Sequence, residues 1–372
     1  MKIRLSIYFT IICVLSLVAC TSRDQAPSTN DSVPASPNVT VKDTPARLYT
    51  IVGTGDILMG LNYPENVPRY ARDDGAHLFD SVRDILLRAD VAFGNLEGVL
   101  LDTGGIPKKR YDSTKACFWF RSPERYAQHL VNAGFDVMSV ANNHVCDFGR
   151  EARQNTLSVL KKAGLLYAGS LNQKSVIYEK DGVRYGFCAF SAMPDCPSLL
   201  DEEAAKRLVQ ELRPQCDILI VSFHGGQEGK DATHVPFKSE YGRGGTVGDV
   251  HHFAHACIDA GADIIFGHGP HVARAVELYK DRFIAYSLGN FCTPFGMVIS
   301  GVSGLAPMIE VSVDKTGRFD HAQIHAAYQS WGVGPRMDPK KRVIKEIQKL
   351  SQADFPNSPL HISDDGLVTK KL

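Results

Sequence analysis

From residue 47 onward, short apolar runs alternate with amphipathic segments. Residues 48–55, 91–94, 136–141, 183–190, 217–223, 263–267, 283–288 and 308–313 read as strands. Several are apolar at consecutive positions, as strands covered on both faces are. Between them the period lengthens to that of helices. Over 77–89, Leu78, Val82, Ile85, Leu86 and Ala89 share one face. Helices are also predicted over 151–163, stopped by Gly164, over 202–212, ending before Pro214, and over 249–260 and 340–350. Ser122-Pro123-Glu124 reads as an N-cap followed by proline at the first helical position, and Gly134 as the stop. Strands alternating with helices argue for an α/β protein, while the density of strands after Phe283 argues against a purely parallel sheet. No repeat of fixed period is visible.

The first residues stand apart. Lys2 and Arg4 precede an uncharged stretch from Leu5 to Ala19. A basic start, an apolar stretch and small residues before a cleavage point read as an export signal, too short to span a bilayer as a helix. Leu17-Val18-Ala19-Cys20 resembles a bacterial lipobox, so residues 1–19 are expected to be removed and Cys20 to carry lipid, anchoring the protein to a membrane of the bacterial cell envelope with its domain outside the cytoplasm. Residues 20–46, rich in Ser, Thr, Pro, Asn and Asp, read as a disordered tether. A main domain is expected over 47–335, with a helix and tail over 336–372.

Composition narrows the picture by exclusion. The chain has 372 residues, 44% of them hydrophobic, with 41 basic against 41 acidic side chains. That is enough apolar content for a large core, and the balanced charge gives no sign of a nucleic-acid partner. Beyond the leader remain Cys117, Cys146, Cys188, Cys196, Cys216, Cys257 and Cys292; the number is odd, no CxxC occurs, and most read as small buried hydrophobes. No disulfide framework is expected.

The candidate chemistry sits where apolar runs end. Run 48–55 ends at Asp56, and run 91–94 leads to Glu97. Run 136–141 ends at Asn142-Asn143-His144 with Asp147 beyond, run 217–223 at His224 with Glu228 beyond, and run 263–267 at His268 and His271. Open α/β sheets bind ligands beyond the carboxyl ends of their strands, so these ends can converge. Each residue alone has an ordinary explanation: a turn cap for Asp56, a loop ion pair for Glu97, a turn pair for Asn142 and Asn143, a hydrogen-bonded core histidine for His224 or His268. Together, Asp56, Glu97, Asn143, His224, His268 and His271 form a thiolate-free set suited to Mn, Fe, Zn or Mg. It exceeds what one ion needs, and two ions would clamp both the attacking and the leaving oxygen of a displacement.

Other features carry less. His251, His252 and His255 lie on the helix predicted over 249–260; His251 and His255 are four apart, but no glutamate stands between them as in H-E-x-x-H, so they read as packing or solvated residues. Gly242-Arg-Gly-Gly245 follows no strand and lacks a P-loop lysine, and no G-x-S-x-G elbow occurs. Arg69, Arg72, Lys108, Lys109 and Arg110 read as solvated surface charge, with attraction of an anionic polymer as the alternative.

At these residues the chain resembles the CapA family of poly-gamma-glutamate capsule biosynthesis, within the calcineurin-like metallophosphoesterase superfamily. The resemblance rests on Gly55-Asp-Ile-Leu-Met-Gly60, Asn95-Leu-Glu97, Ala141-Asn-Asn-His-Val-Cys-Asp-Phe-Gly149, His224-Gly-Gly-Gln-Glu228, Gly261-Ala-Asp263, Gly267-His-Gly-Pro-His271 and Tyr286-Ser-Leu-Gly-Asn-Phe291. It implies a four-layer α/β/β/α sandwich of two mixed sheets with two divalent metals (Mn, Fe or Zn) at strand ends. By the same resemblance Asp56 is the first-metal aspartate, Glu97 the bridging carboxylate and Asn143 a second-metal ligand, with His224, His268 and His271 completing both shells. His144 would protonate the leaving group, oriented by Asp147, while Asn142, Glu228 and Asn290 are expected to face substrate. Leu58 stands where phosphoesterases have the histidine of Asp-x-His. Gly225 and Gly269 replace a usual Trp and a frequent His, which suggests a wider pocket. The function implied is hydrolysis by metal-activated water of a phosphoester, or of an amide or ester in a cell-envelope polymer. The alternative is a non-catalytic polymer-handling or assembly protein with a vestigial metal site.

Overall fold

The computed structural model describes residues 47–109 and 118–371. The expected leader, Cys20 and the tether lie outside the described residues, as do Arg110 and Cys117. Among the described residues, fifteen strands build two large sheets. In chain order they are β1 (Tyr49–Ile57), β2 (Val91–Leu96), β3 (Val137–Ser139), β4 (Leu166–Ala168), β5 (Ser175–Lys180), β6 (Val183–Ser191), β7 (Ile218–His224), β8 (Ile264–His268), β9 (Val276–Tyr279), β10 (Arg282–Ala285), β11 (Asn290–Cys292), β12 (Met308–Val313), β13 (Phe319–His325), β14 (Leu360–Ile362) and β15 (Leu367–Lys370).

The first sheet runs β14-β15-β13-β12-β1-β2-β3-β4, with β11 pairing beside β1. Its β1–β4 side is parallel and its β12–β15 side antiparallel. The second sheet, β9-β10-β8-β7-β6-β5, has four parallel strands flanked by an antiparallel strand at each edge. Both are mixed, as the β-rich C-terminal third of the sequence suggests.

Alternation of side chains explains the layering, because successive strand residues face opposite sides. Ile51, Val91, Phe93, Ile218, Ile220, Ile264 and Phe266 point between the sheets, where Phe93 stacks on Phe266 at 5.6 Å between centroids. Their neighbours Val52 and Ala92 face outward against α1 (Arg83–Arg88), α2 (Ala127–Ala133) and α3 (Gly149–Lys162). Leu219, Val221 and Ile265 face outward against α4 (Glu202–Leu212) and α5 (Val250–Asp259). The result is helix on sheet on sheet on helix.

Local signals set several boundaries. The Asp201 carboxylate accepts from the Ala204 N–H to cap α4, and Asp249 accepts from the His252 N–H to cap α5. Gly134 closes α2 at φ 98°. Two expectations differ. The predicted helix over 77–89 is helical only in α1, because the His77 and Leu78 carbonyls accept from Arg336 instead of continuing a helical ladder; its apolar face is nevertheless buried. Ser122 does not cap a helix: its hydroxyl donates to the Gly60 carbonyl, and Pro123 precedes a single 3-10 turn leading into α2. The segment after 336 contributes α6 (Arg342–Asp354), whose Val343, Ile344 and Ile347 enter the inter-sheet core, and two strands of the first sheet. The described cysteines are free and, except for half-buried Cys146, buried.

Candidate metal centre

The C-terminal ends of β1, β2, β7 and β8 meet, and they bring polar side chains with them. Asp56, in the last turn of β1's pleat, is fully buried. Its Oδ1 accepts from Asn95 Nδ2 at 2.9 Å and lies 3.1 Å from His268 Nδ1, while Oδ2 lies 2.9 Å from His271 Nδ1. Asn95 sits opposite Asp56 in the β1–β2 register, so the strand pairing itself delivers that contact. Glu97 follows β2, and its Oε1 is 3.7 Å from His271 Nε2 and 3.8 Å from His144 Nε2. Ligand atoms of Asp56, Glu97 and His224 lie within 4.8 Å of one another. His271 takes a φ of 60°, a left-handed conformation that turns its ring back over Asp56.

The electrostatics of this cluster are those of a cation site. Burial pushes the Asp56 carboxyl up, but the hydrogen bonds and charge of His268 and His271 together outweigh it and hold it far below the usual carboxylate range. Burial, reinforced by repulsion from Asp56, raises Glu97 well above its ordinary value. Burial lowers His224 to about 3. Burial also opposes charge on His271, yet Glu97 and Asp56 together lift it to about 10.

Both Glu97 oxygens, His224 Nδ1, His268 Nε2 and Asn143 Oδ1 are buried without a hydrogen-bond partner. Leaving such groups unmet costs roughly 1–3 kcal/mol each, more for a carboxylate. Unmet acceptors of nitrogen and oxygen type gathered at one place fit divalent ions of the Mn, Fe or Zn kind.

Beside the donors, His144 Nδ1 lies 2.7 Å from Asp147 Oδ2, which also accepts the Phe120 N–H at 2.7 Å. Lys108 Nζ stands 2.5 Å from the other Asp147 oxygen. The His144 ring stacks on Phe120 at 3.9 Å, leaving Nε2 turned toward Glu97. Burial holds the His144 imidazole below its ordinary value, with Asp147 pulling upward. A cavity of about 370 Å³ opens next to His144, Asn143 and His224, walled by Phe118, Val145 and Met193.

The remaining expected residues fall in different places. Asn143 donates from Nδ2 to exposed Glu228 at 3.1 Å, and both line the cavity. Asn142 is fully buried; its Nδ2 donates to Asn95 Oδ1 and the Leu96 carbonyl, and its Oδ1 accepts the His144 N–H. Its polar atoms thus hold the site's scaffold. Asn290 is fully buried and pairs with Asp56 in register, its Nδ2 donating to the carbonyls of His271, Val298 and Ser303. Lys108, read from sequence as surface charge, instead lines the cavity and pairs with Asp147. Asn95, read only as part of the Asn95-Leu-Glu97 string, holds Asp56, and Phe120 is the stacking partner of His144. Only Asn95 carried a local signal, two residues before Glu97 at a strand end.

The two glycine replacements both line the cavity, and they also let two loops pack closely. A Cβ on Gly269, whose φ is 116°, would stand 2.6 Å from the Gly225 carbonyl oxygen, and one on Gly225 2.8 Å from Leu199 and from the Val247 carbonyl. The Gly225 and Val247 backbones and the Leu199 side chain occupy the places a Cβ would take, so these glycines let the loops after β7 and β8 touch. Leu58 is buried in the outer core with Leu61 and Phe120.

Fold and site together define an α/β protein of two stacked mixed sheets that gathers carboxylate and imidazole donors at its strand ends. The chain belongs to the bacterial capsule synthesis protein family PGA_cap, whose profile matches residues 50–294. It is similar to the capsule biosynthesis protein CapA of Bacillus anthracis, 31% identical over 271 residues, a match covering 68% of this chain and 61% of that relative. It is also similar to the PGA biosynthesis protein CapA of Bacillus subtilis, 29% identical over 315 residues, covering 80% of this chain and 77% of the relative. Among solved structures, the calcineurin-like phosphoesterase YfkN from Bacillus subtilis aligns over 83% of this chain and 98% of its own with a TM-score of 0.43 and 14% identity.

Proposed function

We propose that this protein is a metal-dependent hydrolase that cleaves a phosphoester, or an amide or ester bond, in a cell-envelope polymer, in keeping with the capsule role in its relatives' names. The supporting observation is the set of buried, unpartnered donor atoms on Glu97, Asn143, His224 and His268 next to a hydrogen-bonded His144–Asp147 pair. Asp56, Glu97, Asn143, His224, His268 and His271 are the residues that hold metal. Divalent ions bound there supply Lewis acidity and draw the pKa of water toward neutrality.

The chain's own residues do the rest. Asp56 fixes His268 and His271 by their Nδ1 atoms, which leaves the Nε2 atoms for ligation. Asp147 accepts from His144 Nδ1–H and so orients the ring. In its imidazolium form His144 passes the Nε2 proton to the leaving oxygen or nitrogen as water adds to the electrophile and the scissile bond breaks, and the proton lost by the added water returns to Nε2. Phe120 holds the imidazole plane from one side. The proposal extends to location: lipid on Cys20 tethers the domain to the bacterial cell envelope, outside the cytoplasm. One observation favours a non-catalytic polymer-handling role instead, namely that residue 58 is a buried leucine and sends no imidazole into the site.

Metal content of the purified protein tests the reading, with Asp56→Ala and His268→Ala measured alongside. About two transition-metal ions that depend on both residues are expected. If incubation with Mn, Fe and Zn gives the same content in wild type and both variants, the hydrolase reading fails and the polymer-handling role takes its place.

A further inference from the structure

Among the described residues, two groups bring together three donors of the His, Cys, Asp or Glu type; one is the centre above, and the other is His251, His255 and Glu277. We propose that these three side chains form a separate site for a single borderline divalent cation of the Zn²⁺ type, on the outer face of the second sheet. The sequence lacks a carboxylate between the two histidines, and the tertiary structure supplies one from β9. Positions four apart put His251 and His255 on one side of α5, with ring centroids 4.1 Å apart. Glu277 Oε2 lies 2.9 Å from His255 Nε2, and all three ligand atoms fall within 4.8 Å of one another. A tetrahedral ion with bonds of about 2.0–2.1 Å asks for ligand atoms about 3.4 Å apart. Small side-chain adjustments meet that demand.

The supporting shell distinguishes this group from ordinary surface pairs. The Tyr286 hydroxyl donates to Glu277 Oε2 at 2.6 Å, the kind of outer contact that orients a ligating carboxylate. His255 lies flat on Tyr279 at 3.7 Å, and His251 stands edge-on to Phe237 at 4.6 Å. The rings are thus held by aromatic walls, and little rotamer freedom is left to lose on binding. His255 and Glu277 remain 21% and 12% exposed, so an ion can enter. The neighbouring His252 turns away to Glu202 and takes no part. Other histidine–carboxylate contacts, such as His325 with Glu310 and His234 with Asp354, lack a third converging donor. An ion here ties α5 to the edge of the sheet.

The test uses the full chain carrying Asp56→Asn and His268→Gln, stripped with chelator and titrated with Co²⁺ by visible absorbance and with Zn²⁺ by calorimetry. One equivalent is expected to bind and to raise the melting temperature. Adding His255→Gln should remove it, and Tyr286→Phe should weaken it by roughly 10–100-fold. No equivalent in a chain with native circular dichroism, or an equivalent that survives His255→Gln, overturns the proposal. If the doubly substituted chain does not fold, the same ion is counted as the difference between wild type and His255→Gln, and equal counts refute the site. Failure of the central reading is separate, since it appears as equal metal content with and without Asp56 and His268.

Discussion

Gly269→Ala offers a sharp test of how the two loops build the centre. The new Cβ would meet the Gly225 carbonyl oxygen at 2.6 Å, its nitrogen at 2.9 Å and its carbonyl carbon at 3.1 Å, all backbone atoms that cannot rotate away. Overpacking of this kind costs about 1–3 kcal/mol. The backbone there has φ 116°, and an L side chain adds about 1–2 kcal/mol of strain. The sum is about 2–5 kcal/mol, a large share of a stability of roughly 5–15 kcal/mol. Gly229 provides the control. It has φ 120° with nothing within 4 Å of the position a Cβ would take, so Gly229→Ala should carry the strain alone. Urea unfolding of both variants isolates the clash as their difference, expected at about 1–3 kcal/mol. Because His268 precedes Gly269 and His271 follows two residues later, the strain falls on the metal ligands, and Gly269→Ala should also lose metal when Gly229→Ala does not. Equal unfolding free energies within about 0.5 kcal/mol, with equal metal content, would refute the backbone contact and leave only the wider-pocket explanation.

Two further outcomes follow from buried polar contacts. Arg274 meets Glu240 through two hydrogen bonds of 2.9 and 2.6 Å, with both side chains nearly inaccessible, and Glu240 also accepts the Gln227 N–H. Arg274→Met should lose about 3–5 kcal/mol by chemical denaturation because it strands a buried carboxylate, and Arg274→Met with Glu240→Leu should recover much of that; additive losses would show the pair is not coupled. Asp147→Asn removes the charge that lifts His144, so the His144 pKa falls further and the loss of its acid form on the basic side moves to lower pH. Turnover of phenyl phosphate or γ-glutamyl anilide, whichever the wild type cleaves, should drop roughly 10²–10⁴-fold because both leaving groups depart poorly without a proton, and an unmoved basic limb would count against His144 as the acid.

Particular elements show how far the chain could be read in advance. The α4 boundaries follow from Asp201 at the cap and Pro214 just beyond, both local signals. β7 and β8 were legible because unbroken apolar runs, Ile218–Val221 and Ile264–Phe266, bounded by Asp217 and Asp263 leave few other solutions. The short strands β4, β14 and β15 were not, since pairing rather than composition makes three or four residues a strand, whereas β3 lies inside the strand expected over 136–141. At the site, residue types at strand ends pointed to Asp56, Glu97 and the histidines, whereas the part played by Lys108 was hidden: nothing in a basic run says which lysine will find Asp147.

The sequence by itself thus determined the α/β alternation, the two-faced burial of the central strands and the donor types waiting at their ends, because periodicity and capping act over a few residues. Only the tertiary structure decided which donors meet. Asp56 reaches His268 and His271 across 212 and 215 residues of chain, Glu277 joins His255 across 22, and Gly225 touches Gly269 through backbone alone. Those contacts depend on strand order and sheet stacking, which are settled by burial of the whole core and leave no trace in any short stretch of the chain.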